Sequence, residues 1–177
     1  LTPILSGQLA TPGIFSLLTN VKLLDAMESL LGSEIIAASA YRLRPKLPKW
    51  DDAVVPWHQD SAFFEPYCDS SLIVTVWIPL VDATAERGCL QVIPRQHKGG
   101  IVPHHLPSGL HGGLLQIKSN NFSDDDIVTV PVPKGGALLL TNRTPHRSIE
   151  NVSNVIRWSM DLRYQSATLP TNFELPS

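Results

Sequence analysis

The chain has 177 residues, 43% of them hydrophobic and 17% charged, with a formal net charge of −2. That composition suits a folded domain with a real core and excludes disordered and fibrous classes. Lys and Arg fall singly or in loose pairs, so no basic stripe points to nucleic acid or an anionic membrane, and the apolar runs are far too short to span a bilayer.

Residues 13–32, GIFSLLTNVKLLDAMESLLG, carry Leu17, Leu18, Val21, Leu24, Met27 and Leu31 at near-helical spacing, which predicts a helix that covers one face of something else and stops at Gly32. From Glu34 onward the texture is that of strands. EIIAASAYRLR reads as one, and LIVTVWIPLVDA as a buried one rich in β-branched residues. GCLQVIPRQH follows a turn at AERG. The stretch from IVPHH to SDDD is polar and punctuated by Pro and Gly, which predicts a long loop. IVTVPVPKGGALLLTN reads as strand, turn and strand. NVIRWSMDLRY alternates, with Ile156, Trp158, Met160, Leu162 and Tyr164 on one face and Arg157, Ser159, Asp161 and Arg163 on the other. Many short strands with 15 Pro and 11 Gly argue for an antiparallel sandwich or barrel. Two cysteines, Cys68 and Cys89, form no framework and no CxxC, so the expected setting is reducing and cytoplasmic; a disulfide between them is open but unsupported.

The chemistry begins at WHQD, residues 57–60. Period two puts His58 and Asp60 on one face of a strand, with Gln59 on the other. These two side chains can share a metal but cannot complete a site. Among the other histidines (97, 104, 105, 111 and 146), His146 is the best-placed third ligand, because it follows the strong strand GGALLLTN through a short turn. Two histidines and one carboxylate occupy one face of an octahedron and leave three positions open, which suits non-haem Fe(II) oxygenases; a closed zinc set usually includes thiolate. An HxD pair alone is weak, since a surface strand with a His–Asp hydrogen bond gives the same letters. Arg157, eleven residues after His146 and mid-strand among apolar neighbours, adds weight. Buried, it needs an anion, and a planar guanidinium clamps a carboxylate well. The blander account pairs it with Asp161 on the same strand face. Ser148 shares the parity of His146 and could donate a second hydrogen bond.

Taken together, these residues resemble the phytanoyl-CoA dioxygenase family of Fe(II)- and 2-oxoglutarate-dependent oxygenases. The resemblance rests on WHQD, on VWIPLVDATAERGCLQVIPRQHK against the family's W-x-P-L-x-D-x-T-x-x-N-G-C-L-x-x-x-P-G-S-H, on KGGALLLTNRTPHRS, and on the arginine eleven residues past the distal histidine. It runs from about Glu34 to Tyr164. It implies a mainly β chain folded as a double-stranded β-helix, the jelly-roll or cupin-like barrel, with flanking helices. It also implies iron on His58, Asp60 and His146, and 2-oxoglutarate held by Arg157 and Ser148. Dioxygen and a small-molecule or lipid-derived substrate complete the reaction, which yields succinate and CO2. An aspartate at position 60 favours hydroxylation or another non-halogenating oxidation, since the related halogenases have a small residue there. Trp77, Gln59 and Arg42 are candidate pocket residues, though Trp77 could equally be core and Arg42, like Tyr41 and Arg44, could be a solvated strand edge. His97 and Gly88-Cys89-Leu90 read as packing and turn elements. The chain departs from the family in PRQH for PGSH and in only 57 residues before His58. The expectation is one domain over 1–177, with the completeness of its N-terminus left open. The alternatives are a non-catalytic metal-binding jelly roll, which should have lost one of the four site residues, and a non-oxidative cupin-type metalloenzyme, which would have no carboxylate-clamping arginine.

Overall fold

A computed structural model describes residues 11–38, 41–50, 54–106 and 114–171. The N-terminal helical segment is two helices, α1 (Pro12–Leu18) and α2 (Val21–Leu31), where the sequence predicts one. Thr11 caps α1 by accepting from Ile14 N, and Pro12 opens it. Asn20 caps the second helix by accepting from Leu23 N at 3.3 Å, so the local hydrogen bond restarts the helix where the apolar rhythm would have carried it through. Gly32, at φ +99°, ends α2.

Eight strands follow: β1 (Ile35–Ala37), β2 (Arg42–Lys46), β3 (Ile73–Pro79), β4 (Leu90–Val92), β5 (Val128–Val130), β6 (Leu138–Thr141), β7 (His146–Ser148) and β8 (Arg157–Ser166). The major sheet runs β1-β8-β3-β6, with β2 paired further along the β8 edge that β1 occupies; the minor sheet runs β5-β4-β7, and every pairing is antiparallel. The segment read as one strand, EIIAASAYRLR, is thus β1 and β2 on one partner. Two antiparallel sheets with helices on the outside match the expected jelly-roll class.

Strand alternation sorts the two faces of the major sheet. Val74 and Val76 of β3 and Met160, Leu162 and Tyr164 of β8 pack with Met27 of α2, and Tyr164 Oη donates to the Leu18 carbonyl at 2.7 Å. The opposite face meets the minor sheet through Trp77, Leu140, Leu90, Val92, Cys89 and Val132. Near one end, that inner face turns polar: Arg157, Ser159 and Asp161 are buried there. Burying three polar side chains costs free energy unless something meets them. The stretch predicted as a long loop is partly ordered by its own core, in which Trp57, Ile93 and Ile117 pack with Val102, Phe122 and Ile127. Cys68 and Cys89 are buried free thiols. Among the described residues no helix is long and apolar enough to cross a membrane.

Candidate active site and metal centre

His58 and Asp60 do not share a strand, contrary to the period-two expectation. His58 makes an isolated antiparallel bridge to His146 at the edge of the minor sheet, and Asp60 opens a 3-10 turn, Asp60–Phe63. The bridge brings the histidines together directly: His58 N donates to the His146 carbonyl at 3.0 Å, and His146 N to the His58 carbonyl at 2.9 Å. Their ring centroids lie 4.2 Å apart. The turn then lifts Asp60 toward them, and it is fixed by Asn142, whose Nδ2 donates to Ser61 Oγ at 2.9 Å and whose carbonyl accepts from Ser61 N at 3.0 Å. One ligand atom from each of His58, Asp60 and His146 falls within 4.8 Å of the others, and all three residues are buried.

Each ring is held in one tautomer. Nδ1 of His58 lies 2.9 Å from the Pro56 carbonyl, and Nδ1 of His146 lies 2.9 Å from the Thr144 carbonyl. A carbonyl can only accept, so both Nδ1 atoms carry the proton and both Nε2 lone pairs face the shared space. Burial, reinforced by neighbouring His146, pulls His58 down to about 3 against the opposing pull of Asp60, so its ring is neutral at physiological pH. Burial works against the Asp60 charge, yet Arg163, with the two histidines, holds that carboxyl well below the usual carboxylate range. Arg163 grips it as a fork, with Nη2 to Oδ1 at 3.0 Å and Nε to Oδ2 at 3.1 Å, and Thr75 Oγ1 donates to Oδ2 as well. Two imidazoles with Nε2 turned inward and one fixed carboxylate form a donor set for a divalent cation with open positions.

The same pocket continues past the triad to Arg157, Ser148 and Trp77. Arg157 is 4% exposed. Its Nη1 donates to Ser159 Oγ and its Nη2 to the Gly88 carbonyl at 3.1 Å, while its buried Nε has no acceptor. Asp161, the expected alternative partner, is taken by Arg44 instead, and among the described residues no carboxylate forms an ion pair with Arg157. Burial lowers the guanidinium to about 10, so it remains a cation. Its Cζ stands 5.2 Å from the Trp77 ring centroid, which makes Trp77 both a core residue and a pocket wall. Ser148 Oγ accepts from Val55 N at 3.0 Å and from Lys46 Nζ at 2.8 Å, which leaves its own hydrogen to donate. Arg42 lines the pocket at its exposed rim.

Gln59 is not a pocket residue. It is fully buried on the far side of the backbone from its two neighbours, where Nε2 donates to the carbonyls of Gly100 (2.9 Å) and Arg143 (2.6 Å) and Oε1 accepts from Val102 N (2.8 Å). It fastens two loops behind the triad, and its backbone N donates to His104 Nε2. His105 bridges to Gln116 by backbone, His97 lies in a 3-10 turn, and His111 is outside the described residues. Sequence reading missed Thr75, Lys46 and Arg163 as site residues. Arg163 and Lys46 did carry a signal, since each shares a strand face with a candidate, Arg157 and Arg42 respectively.

Comparison with known proteins gives this geometry a family. The sequence profile of phytanoyl-CoA dioxygenase (PhyH) matches residues 6–159. A phytanoyl-CoA dioxygenase of Arabidopsis thaliana is 32% identical over 117 residues, 66% of this chain and 40% of that protein. Phytanoyl-CoA dioxygenase domain-containing protein 1 of Bos taurus is 31% identical over 148 residues, 80% of this chain and 49% of that one. The chain thus spans half or less of these relatives. Among solved structures, EvdO2 from Micromonospora carbonacea var. aurantiaca complexed with 2-oxoglutarate is similar at 26% identity and TM-score 0.71, over 94% of this chain and 64% of that one. The epimerase SnoN in complex with Fe3+, alpha ketoglutarate and nogalamycin RO is similar at 25% identity and TM-score 0.69, over 97% and 68%. With the profile running through the HxD turn, the distal histidine and the buried arginine, the chain belongs to the phytanoyl-CoA dioxygenase family.

Proposed function

We propose that this chain is an Fe(II)- and 2-oxoglutarate-dependent oxygenase that hydroxylates a small-molecule or lipid-derived substrate and releases succinate and CO2. One observation carries the reading: a His58–Asp60–His146 cluster with both Nε2 lone pairs free shares its pocket with a buried arginine that has no carboxylate partner. When bound, iron and the 2-oxo acid supply dioxygen activation coupled to oxidative decarboxylation. The residues do the rest. His58 and His146 offer nitrogen donors, and Asp60 offers a carboxylate kept ionised by Arg163 and Thr75. Arg157 and Ser148 clamp the distal carboxylate of the 2-oxo acid, which fixes its other end toward the metal. Trp77 walls the cosubstrate from solvent. The SnoN likeness supports a second reading on the same site, a 2-oxoglutarate-dependent oxidation other than hydroxylation, since that relative is described as an epimerase.

The test is an anaerobic titration of metal-free protein with Fe(II) and 2-oxoglutarate, read by the visible metal-to-ligand charge-transfer band. The band is expected in the wild type and lost in His146→Ala, and Arg157→Ala should require far more 2-oxoglutarate. A wild type that binds iron but develops no band would overturn the oxygenase reading.

A further inference from the structure

Behind the metal centre, the outer face of the minor sheet carries a second recess, of about 440 Å³. Trp57 and Arg147 line it. Each is the chain neighbour of a metal-centre histidine, His58 or His146, and backbone alternation turns it to the opposite side. Backbone pairs fix the walls: Ile117 N donates to the Trp57 carbonyl at 2.7 Å, and His105 and Gln116 exchange two bonds at 2.9 and 3.0 Å. Arg147 is set in place beforehand. Its Cζ stands 4.8 Å from the Trp57 ring centroid, its Nε donates to Gln91 Oε1 at 2.7 Å, and Gln91 Nε2 is itself held on Thr129 Oγ1 at 2.9 Å. The Nη edge of that guanidinium has no acceptor among the described residues. Lys118, exposed on the same recess, has no carboxylate partner among them either. His105 Nδ1 is buried in the wall without a partner. Gln116 Nε2, which can only donate, lies 3.5 Å from His105 Nε2, so the ring hydrogen belongs on Nδ1 and is one more unmet donor. No acidic residue lines the recess. Two cations and an unmet donor thus converge with no anion among them.

We propose that this recess is a second ligand site, for a small organic anion whose carboxylate or phosphate group meets the Nη edge of Arg147 and the Lys118 ammonium. The planar edge of a guanidinium fits either group through two parallel hydrogen bonds. Arg147 is already fixed by Trp57 and Gln91, so little side-chain freedom is lost when an anion arrives. Size favours an organic anion over a bare ion. Small-molecule sites commonly occupy about 300–1,000 Å³, and this recess falls in that range. Ile117 and the Trp57 ring give it apolar wall against which a hydrocarbon or aromatic body can rest. The site shares no lining residue with the pocket that holds the metal triad, so it stands independently of the oxygenase reading.

The experiment is a calorimetric titration of the wild type with phenyl phosphate, phenylacetate, inorganic phosphate and neutral benzyl alcohol. The two aromatic anions distinguish a phosphate from a carboxylate ligand. At least one of them should bind with a Kd of about 1 mM or tighter, and inorganic phosphate and benzyl alcohol, each with half of the required chemistry, about 10-fold more weakly or worse. Arg147→Gln should weaken the better aromatic anion about 10- to 100-fold, the worth of hydrogen bonds to a charged group. Lys118→Glu, an exposed change that leaves the fold intact, should weaken it about 5- to 10-fold through the lost attraction and the added repulsion. Arg157→Ala should bind it as the wild type does. No binding of either aromatic anion, or inorganic phosphate binding as tightly as both, overturns the proposal. So does unchanged affinity in Lys118→Glu, which remains decisive even if Arg147→Gln fails to fold. Loss in Arg157→Ala with retention in the two recess variants would put the anion in the metal pocket and overturn it as well.

Discussion

Asp60 has both carboxylate oxygens occupied by Arg163 and Thr75, and this decides what the residue can do. A buried carboxylate with so much donor density stays ionised and keeps one orientation, which is what a metal ligand requires. Removing the guanidinium would leave an uncompensated buried charge. Arg163→Met is therefore expected to lower folding stability by about 3–5 kcal/mol in metal-free protein, and Thr75→Val by about 1 kcal/mol. Urea unfolding of both variants checks this; an Arg163→Met cost below that of Thr75→Val would mean that something other than Arg163 sustains the Asp60 charge. At this scale the sequence was readable for residue type and opaque for pairing. Nothing local says that Asp161 belongs to Arg44 rather than to Arg157, because the choice depends on how β2 registers against β8.

At the scale of the element, two turns show backbone geometry serving the site in opposite ways. Gly88, at φ +73°, must lack a side chain, since a Cβ would stand 2.6 Å from Cδ and Cε of Lys46 and 2.7 Å from the Ile149 carbonyl. Gly88→Ala is expected to cost about 1–3 kcal/mol and to displace Lys46. Arg95 occupies the position where the family pattern has glycine, and it keeps the left-handed backbone, at φ +69°. Arg95→Gly should raise stability, by up to about 1 kcal/mol, because the strain relieved exceeds the added chain entropy. Thermal melts of the pair should therefore move in opposite directions, and a destabilised Arg95→Gly would show that the turn is not strained. The departure PRQH was visible in the letters, but its consequence needed the torsion angle. The break between α1 and α2 is a similar case, where one Asn20 side-chain bond outweighs a continuous apolar rhythm. So is the HxD pair, which alternates like a strand yet folds as a bridge followed by a 3-10 turn.

Across the whole molecule, the inner face of the major sheet concentrates positive charge inside a chain of net charge −2. Lys46 carries much of that tension: burial, then Arg157, brings its ammonium down to about 7 against an ordinary value of 10.5. Between those values the unfolded chain binds a proton that the folded chain has released. Stability contributed through Lys46 therefore rises with pH over that window, by at most about 1.4 kcal/mol per unit. Denaturant unfolding at pH 7 and pH 9 should show the wild type gaining on Lys46→Met; parallel behaviour would place the lysine in its ordinary range. The sequence by itself determined the strand-rich class, the alternation of β8 that separates the helix-facing apolar face from the polar one, and the candidacy of His58, Asp60, His146 and Arg157, which the structure gathers around one pocket, because periodicity and residue chemistry are local properties. Only the tertiary structure decided that Gln59 fastens loops instead of lining the pocket, that Arg163 and Thr75 hold Asp60, and that Lys46 meets Arg157 over Gly88. Those contacts join residues far apart in the chain, and their partners are chosen by strand register and close packing, which no stretch of sequence carries alone.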